Sequence, residues 1–86
     1  MDLRVGSVVK SLAGRDKGSF LAVTSLDENH IYVCDGKERP LGRPKKKNPR
    51  HLESTEFWLN EAQTATNRAL RKSLADLCSL KSNSEQ

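Results

Sequence analysis

The chain has 86 residues, of which 35% are hydrophobic and 30% are charged, and its net charge is +4. A chain of this length forms one domain and buries only about 60% of the surface that its unfolded form exposes. This argues against a deep catalytic pocket, and the absence of any run of about 18 apolar residues argues against a membrane span. Because the first residues lack the pattern of a secretory signal, we expect a cytoplasmic protein.

The first half of the chain is predicted to form three short strands separated by turn residues. The first covers 5–12, where valines dominate, and the second is the apolar run over 18–24. The third covers 30–34 and ends at Asp35-Gly36, a dipeptide that favours a tight turn. Strands at about ten-residue spacing predict a meander that curls into a small β-barrel.

The segment 37–51 holds seven cations and one acid, a net charge of +6, whereas the rest of the chain has a net charge of −2. Such asymmetry indicates a polyanionic partner. Pro40, Pro44 and Pro49 forbid a helix here and permit at most a short edge strand over 39–41. We therefore expect an extended surface segment with outward-pointing lysines. A solvated, disordered charge run is the alternative.

After Leu52 the hydrophobic period changes to that of a helix, predicted over 54–81 and followed by a disordered tail over 82–86. Ser54 or Thr55 can cap its first turn. Its apolar face covers about half the circle. This face consists of Trp58, Leu59, Ala62, Ala65, Ala69, Leu70, Leu74, Leu77 and Leu80.

Two functions are open for this apolar face. Phe57 and Trp58 are expected to dock the helix on the barrel, with Tyr32 half-buried in its strand. The apolar surface is nevertheless wider than a barrel of this size needs. It therefore also permits a homodimer or a partner contact, and the residues for such a contact are Leu70, Leu74 and Leu77.

The cysteines and histidines give no sign of a metal or catalytic centre. Cys34 and Cys78 are too few for a disulfide framework and are expected to be small buried apolar residues in a reducing compartment. Together with His30 and His51 they lack the close spacing of metal ligands. No nucleophile with a partner base is recognisable, so we expect no metal, no cofactor and no enzymatic activity.

The most informative local feature is Gly14-Arg15-Asp16-Lys17-Gly18, between the first two predicted strands. Two glycines four apart allow backbone conformations that other residues avoid, so the loop can present Arg15 and Lys17 from a rigid base. Asp16 can bond neighbouring backbone amides and hold the shape of the loop. Taken alone, the segment is better interpreted as a simple hairpin turn that carries charges.

This loop and its flanking strands resemble the KOW motif: an opening glycine, a valine-rich strand, a glycine-bounded basic loop and a second apolar strand. The matching residues are Val5-Gly6-Ser7-Val8-Val9, Ala13-Gly14-Arg15-Asp16-Lys17-Gly18 and Leu21-Ala22-Val23. The similarity continues through 27–36 and 48–56. Residues 4–56 thus resemble the fourteenth-type large-subunit ribosomal proteins of archaea and eukaryotes, although the tract 43–47 is more basic than in that family and the C-terminal helix lies outside the resemblance.

The resemblance implies an SH3-like barrel that binds structured RNA, commonly ribosomal RNA, without catalysis, and ribosomal proteins are candidate partners beside the RNA. It implies an RNA-facing turn formed by Gly14, Arg15, Lys17 and Gly18. It implies a second RNA-contacting segment that consists of Arg39, Arg43, Lys45, Lys46, Lys47, Arg50 and His51. Because lysines act as point charges on phosphates, we expect recognition of RNA backbone and shape rather than of base sequence.

Two other functions remain open from the sequence. One is a protein-interaction module that docks on a translation or transcription protein through its barrel or its helix. The other is a fragment of a KOW-type transcription factor, or a binder of duplex DNA.

Overall fold

The computed structural model describes residues 3–84, with side chains for residues 3–77, as an antiparallel sheet followed by a helix. The strands are β1 (Ser7–Ser11), β2 (Phe20–Leu26), β3 (Ile31–Cys34), β4 (Lys45–Lys47) and β5 (Leu52–Trp58). Short 3-10 turns at Pro49–His51 and Ala62–Thr64 precede β5 and the helix α1 (Asn67–Ser84). The prediction of a mainly β chain with a C-terminal helix is confirmed.

The five strands form one sheet in the order β4-β3-β2-β1-β5, with every neighbouring pair antiparallel. A flat sheet would separate β4 from β1 by roughly 14 Å. Instead, the Lys47 Nζ on β4 lies 2.9 Å from the Ser11 Oγ on β1, so the sheet curls strongly. The edge strands β4 and β5 do not pair within residues 3–84, and the predicted closed barrel is therefore not confirmed.

Each face of this curled sheet carries its own buried cluster. Neighbouring residues of a strand contribute to different clusters, since their side chains point to opposite sides of the sheet. One hydrophobic cluster lies on the face that α1 covers, and its members are Val8, Ala22, Cys34, Leu59, Leu70 and Leu74. The other lies on the opposite face, and its members are Val9, Leu21, Val23, Ile31, Val33 and Leu52. The helix and the curl of the sheet therefore exclude water from one face each.

The prediction that residues 54–66 are helical is wrong, because Leu52–Trp58 pairs with β1 and α1 begins only at Asn67. The β-branched and aromatic side chains of this segment favour a strand once a partner strand is available. At its other end α1 extends to Ser84, so residues 82–84 are helical rather than a tail, and residues 85–86 lie outside the described range. Among the described residues, no helix has the length and apolar character needed to cross a bilayer.

The apolar face of α1 packs inside the molecule. Leu70 and Leu74 retain only 0% and 6% exposure, and Leu77 is partly buried against the same cluster. Leu70 and Leu74 thus contribute to the core of the molecule, and the homodimer or partner contact through Leu70, Leu74 and Leu77 stays a prediction. Phe57 packs against this cluster as predicted, whereas Trp58 lies on the surface with 47% exposure and its indole N–H donates to the Val5 carbonyl.

The turn after β3 is joined tightly to the start of α1. Gly36 has a φ of +78°, and a Cβ there would lie 2.3 Å from the Asn67 carbonyl oxygen and 3.0 Å from the Arg71 nitrogen. The Asn67 side chain in turn accepts a hydrogen bond of 2.7 Å from the Leu41 N–H. The loop 35–41 and the first turns of α1 therefore form one rigid unit.

Cys34 is buried and free, as expected for a small apolar residue. Burial raises the pKa of its thiol, and the Sγ donates to the Pro40 carbonyl at 3.4 Å. The side chain of Cys78 lies outside the described residues. The half-buried position predicted for Tyr32 is confirmed, and its hydroxyl donates to Asp27 at 3.2 Å.

Candidate nucleic-acid interface

The glycine-bounded loop 14–18 has the backbone that its sequence predicts. Gly14 and Gly18 have φ values of +87° and +89°, a region that favours glycine over other residues. The Gly18 N–H donates to the Ser11 carbonyl at 2.8 Å, and the Lys17 N–H donates to the Gly14 carbonyl at 3.3 Å. Arg15 and Lys17 are exposed at the tip, so the loop presents two cations to solvent.

A buried lysine holds this loop against β4. The Lys47 Nζ donates to the Asp16 Oδ1 at 2.8 Å, to the Ser11 Oγ at 2.9 Å and to the Ala13 carbonyl at 2.9 Å. An ammonium has three N–H donors, and all three are used here. With only 6% of its side chain exposed, Lys47 has no donor left for a phosphate. Its predicted outward orientation is wrong.

Asp16 stabilises the loop through side chains rather than through the backbone amides that the sequence suggested. Its Oδ1 accepts from Lys47 and from the Ser11 hydroxyl, at 2.8 Å each. Burial alone would raise the pKa of Asp16, but the hydrogen bonds from Lys47 and Ser11 and the charges of Lys47 and Lys45 outweigh it. The pKa is therefore lower than its ordinary value, and the carboxylate is charged at neutral pH.

The basic tract 45–47 is the edge strand β4, which is extended as expected and pairs with β3, rather than a disordered charge run. The predicted edge strand over 39–41 is wrong, because the strand forms over the lysines instead. Strand alternation gives these lysines different environments. Lys46 is exposed, Lys45 is 27% exposed with its Nζ 3.8 Å from the Asp16 Oδ2, and Lys47 is buried.

Three of the predicted cations meet at one cleft of about 260 Å³ between the loop 14–18, the loop 35–39 and β4. Its lining residues are Arg15, Asp16, Asp35, Glu38, Arg39 and Lys45. The Asp35 Oδ1 accepts from the Lys37 and Arg39 backbone N–H groups at 2.8 and 2.9 Å, which fixes the second loop. Within the described part of the chain, Arg15 and Arg39 are in no ion pair.

The other predicted contacts lie around this cleft without lining it. Arg50 and His51 are exposed on the 3-10 turn before β5, where the His51 carbonyl accepts from the Leu12 N–H at 2.8 Å. That bond places the turn beside the base of the loop 14–18. Arg43 is exposed on the turn after Pro40 and does not reach the cleft.

Comparison with known proteins assigns this chain to no family. No protein-family model matches it, and a search of curated proteins finds no match. The KOW resemblance therefore depends on the residues quoted for it, and the function has to be argued from the geometry of the cleft.

Sequence reasoning missed Asp35 and the pairing of Asp16 with Lys47. The Asp35 side chain gives its loop a fixed shape, and a signal for it existed in the Asp35-Gly36 turn. No local signal existed for the ion pair, because its partners are 31 residues apart. Within residues 3–77, no three His, Cys, Asp or Glu side chains are grouped so that they could hold a metal ion.

Proposed function

We propose that this protein is a non-enzymatic, cytoplasmic RNA-binding module of the KOW type that associates with ribosomal RNA and recognises the backbone and shape of structured RNA. The observation that carries the proposal is the cleft, in which Arg15, Arg39 and Lys45 from three separate segments converge. Of the three acids there, Asp16 pairs with Lys47 and Asp35 accepts two backbone N–H groups. The third, Glu38, is exposed and forms no ion pair with Arg15 or Arg39 within the described residues. The arginines are thus left for an external anion.

An SH3-like barrel is part of this proposal. The strong curl of the sheet and the pairing of β1 with both β2 and β5 support it. Five-stranded, partly open barrels occur among the folds that bind oligonucleotides. A sheet whose edge strands β4 and β5 do not pair is therefore compatible with RNA binding.

The physical basis is the release of counterions from phosphates. Each phosphate that a cation neutralises contributes about −0.9 to the slope of log K against log salt on a duplex. Five exposed cations surround the cleft, and Lys45 is partly exposed beside them. The exposed ones are Arg15, Lys17, Arg39, Lys46 and Arg50. About five simultaneous contacts give a slope of about −4 to −5, which supplies affinity without an enclosed pocket.

The experiment is a filter-binding titration between about 50 mM and about 200 mM salt. The probe is an RNA hairpin with a stem of about 16 base pairs, and duplex DNA of the same sequence is the comparison. The double variant Arg15→Gln/Arg39→Gln should lower the magnitude of the salt slope by about 2. The charge-matched control Arg68→Gln/Lys72→Gln, with both changes on exposed positions of α1 away from the cleft, should leave the slope unchanged.

Equal effects of the two double variants, or no RNA binding by the wild-type protein at about 50 mM salt, would overturn the proposal. Equal affinity for RNA and DNA would show a general polyanion binder. The proposed association with ribosomal RNA is tested separately by co-sedimentation of the protein with ribosomal subunits through a high-salt gradient. Absence of the protein from the subunit fractions would contradict that association.

A protein-interaction module is the second candidate. The observation that favours it is an exposed apolar corner formed by Val5 and Trp58, which are 56% and 47% exposed, with the Arg4 guanidinium 4.9 Å from the centre of the indole ring. This corner lies at the end of β1 opposite the loop 14–18. This candidate would be favoured if the wild-type protein and the Arg15→Gln/Arg39→Gln variant both enter the ribosomal fractions and the Trp58→Ala variant does not.

A further inference from the structure

The two loops that bound the cleft also bound a second groove, which reaches the helix. This groove has a volume of about 430 Å³. Gly18, Ser19 and Phe20 line one side, Asp35 and Lys37 line another, and α1 supplies Arg71, Leu74 and Ala75.

The cleft and the groove adjoin each other at Asp35. The loop 14–18 contributes Arg15 and Asp16 to the cleft and Gly18 to the groove, and Asp35 lines both. A Cβ at Gly18 would meet no atom within 4 Å, so the backbone there is open to solvent. A strand of nucleic acid that contacts Arg15 in the cleft can therefore continue along the loop towards α1.

Lys37 and Arg71 are held in a fixed relation across this groove. A Cβ added at Gly36, the neighbour of Lys37, would lie 3.0 Å from the backbone nitrogen of Arg71, so the two backbone segments are close together. The Asn67 side chain binds the same loop at Leu41, as described above. The ordering of the backbone around the two cations is thus complete before a ligand arrives, which lowers the entropic cost of binding.

The chemistry of the groove fits one phosphate with its attached sugar. Lys37 and Arg71 are both exposed, and neither is in an ion pair within residues 3–77. The facing carboxylate, Asp35, holds backbone N–H groups of its own loop. Phe20, Leu74 and Ala75 add an apolar wall beside the cations, which suits a ribose or the face of a base more than a free inorganic anion.

We infer that Lys37 and Arg71 bind a further phosphate of the RNA backbone, so that the RNA path continues from the loop 14–18 onto α1. This inference rests on the proposed function. It gives the C-terminal helix a part in binding as well as in the hydrophobic core, and neither residue belongs to the contacts that the KOW resemblance implies.

Arg71→Gln and Lys72→Gln are a matched pair for the test, because they remove the same charge from neighbouring positions of one helix and only Arg71 lines the groove. With the RNA hairpin described above, Arg71→Gln should lower the magnitude of the salt slope by about 1. The factor by which it loses affinity should be about 10 at about 50 mM salt and about 2.5 at about 200 mM salt. Lys72→Gln should bind like the wild-type protein.

Two further variants separate the contact from its surroundings. Arg71→Lys should restore most of the salt slope, because the expected contact is ionic, and Lys37→Gln should weaken binding as Arg71→Gln does. Thermal unfolding followed by circular dichroism should place all four variants within about 0.5 kcal/mol of the wild-type protein.

Equal losses for Arg71→Gln and Lys72→Gln would show only a general attraction by the helix, and no loss for Arg71→Gln would remove the groove from the RNA path. Either result overturns this inference while the effect of Arg15→Gln/Arg39→Gln leaves the proposed function intact. A wild-type protein that does not bind RNA overturns both.

Discussion

Replacing Asp16 by Asn is expected to destabilise the fold, because it leaves the Lys47 ammonium buried without its countercharge. Lys47 is 6% exposed and Asp16 is 13% exposed, and their Nζ and Oδ1 atoms are 2.8 Å apart. The substitution keeps the size of the side chain and the Ser11 and Ala13 acceptors around Lys47. It therefore changes the charge and little else.

The magnitude follows from the burial of the pair. Removing one partner of a buried ion pair costs about 3–5 kcal/mol. Because Asp16 is partly accessible and Lys47 keeps two other acceptors, we expect the lower end, about 3 kcal/mol. In a domain of this size each kcal/mol shifts the melting temperature by about 4–8 °C, so the variant should melt at least about 12 °C below the wild-type protein.

The assay is urea unfolding of a double-mutant cycle that consists of Asp16→Asn, Lys47→Met and the two changes together. The fluorescence of Trp58, the one tryptophan of the chain, reports the transition beside circular dichroism. Because the double variant has no unpaired buried charge, it should lose less stability than the sum of the single changes, with a coupling free energy of at least about 1.5 kcal/mol. Lys46→Met, on the exposed neighbour, is the control and should change stability by no more than about 0.5 kcal/mol.

The reasoning is refuted if Asp16→Asn unfolds within about 0.5 kcal/mol of the wild-type protein and the coupling free energy is close to zero. Such a result would mean that Lys47 is solvated in solution and free to contact a ligand. The sequence-based assignment of Lys47 to the RNA contacts would then be restored.

Two other outcomes follow from the same structure. The pKa of Asp16 lies below its ordinary value of 3.8, so the pair contributes fully above about pH 5 and loses its contribution as the pH falls through the folded-state pKa. The difference in urea midpoint between wild type and the Asp16→Asn/Lys47→Met variant should therefore shrink from about pH 5 to about pH 2, and a constant difference would contradict this. Gly36→Ala should cost about 2 kcal/mol in urea unfolding, since its Cβ would meet the Asn67 carbonyl oxygen at 2.3 Å and its φ is +78°. Gly42→Ala, whose Cβ meets nothing within 4 Å, should change stability by no more than about 0.5 kcal/mol, and equal costs would contradict the packing argument.

Much of the local structure could be predicted because it depends on neighbouring residues alone. Short apolar runs bounded by turn residues located β1, β2 and β3 to within two residues at each end. Gly14 and Gly18 have the positive φ values expected of a glycine-bounded loop. The leucine spacing in the last third of the chain predicted the helical structure of 67–81, where Leu70 and Leu74 lie on the buried face.

The segment 52–58 shows where local pattern is insufficient. Its residues suit either a strand or the first turns of an amphipathic helix, and the edge of β1, more than 40 residues earlier in the chain, decides for the strand. A strand exists only when another strand supplies its hydrogen bonds, so a periodicity measured within the segment cannot make the choice.

The candidate site divides in the same way. The concentration of cations in 37–51 and between the two glycines of the loop 14–18 follows from the amino-acid sequence alone. The curl of the sheet decided which of them face solvent, since it brings Lys47 to Asp16 and leaves Arg15 and Arg39 in the lining of one cleft. The physical reason is that charge composition is a property of the chain, whereas the burial and partners of each charge depend on residues that only the folded sheet brings together.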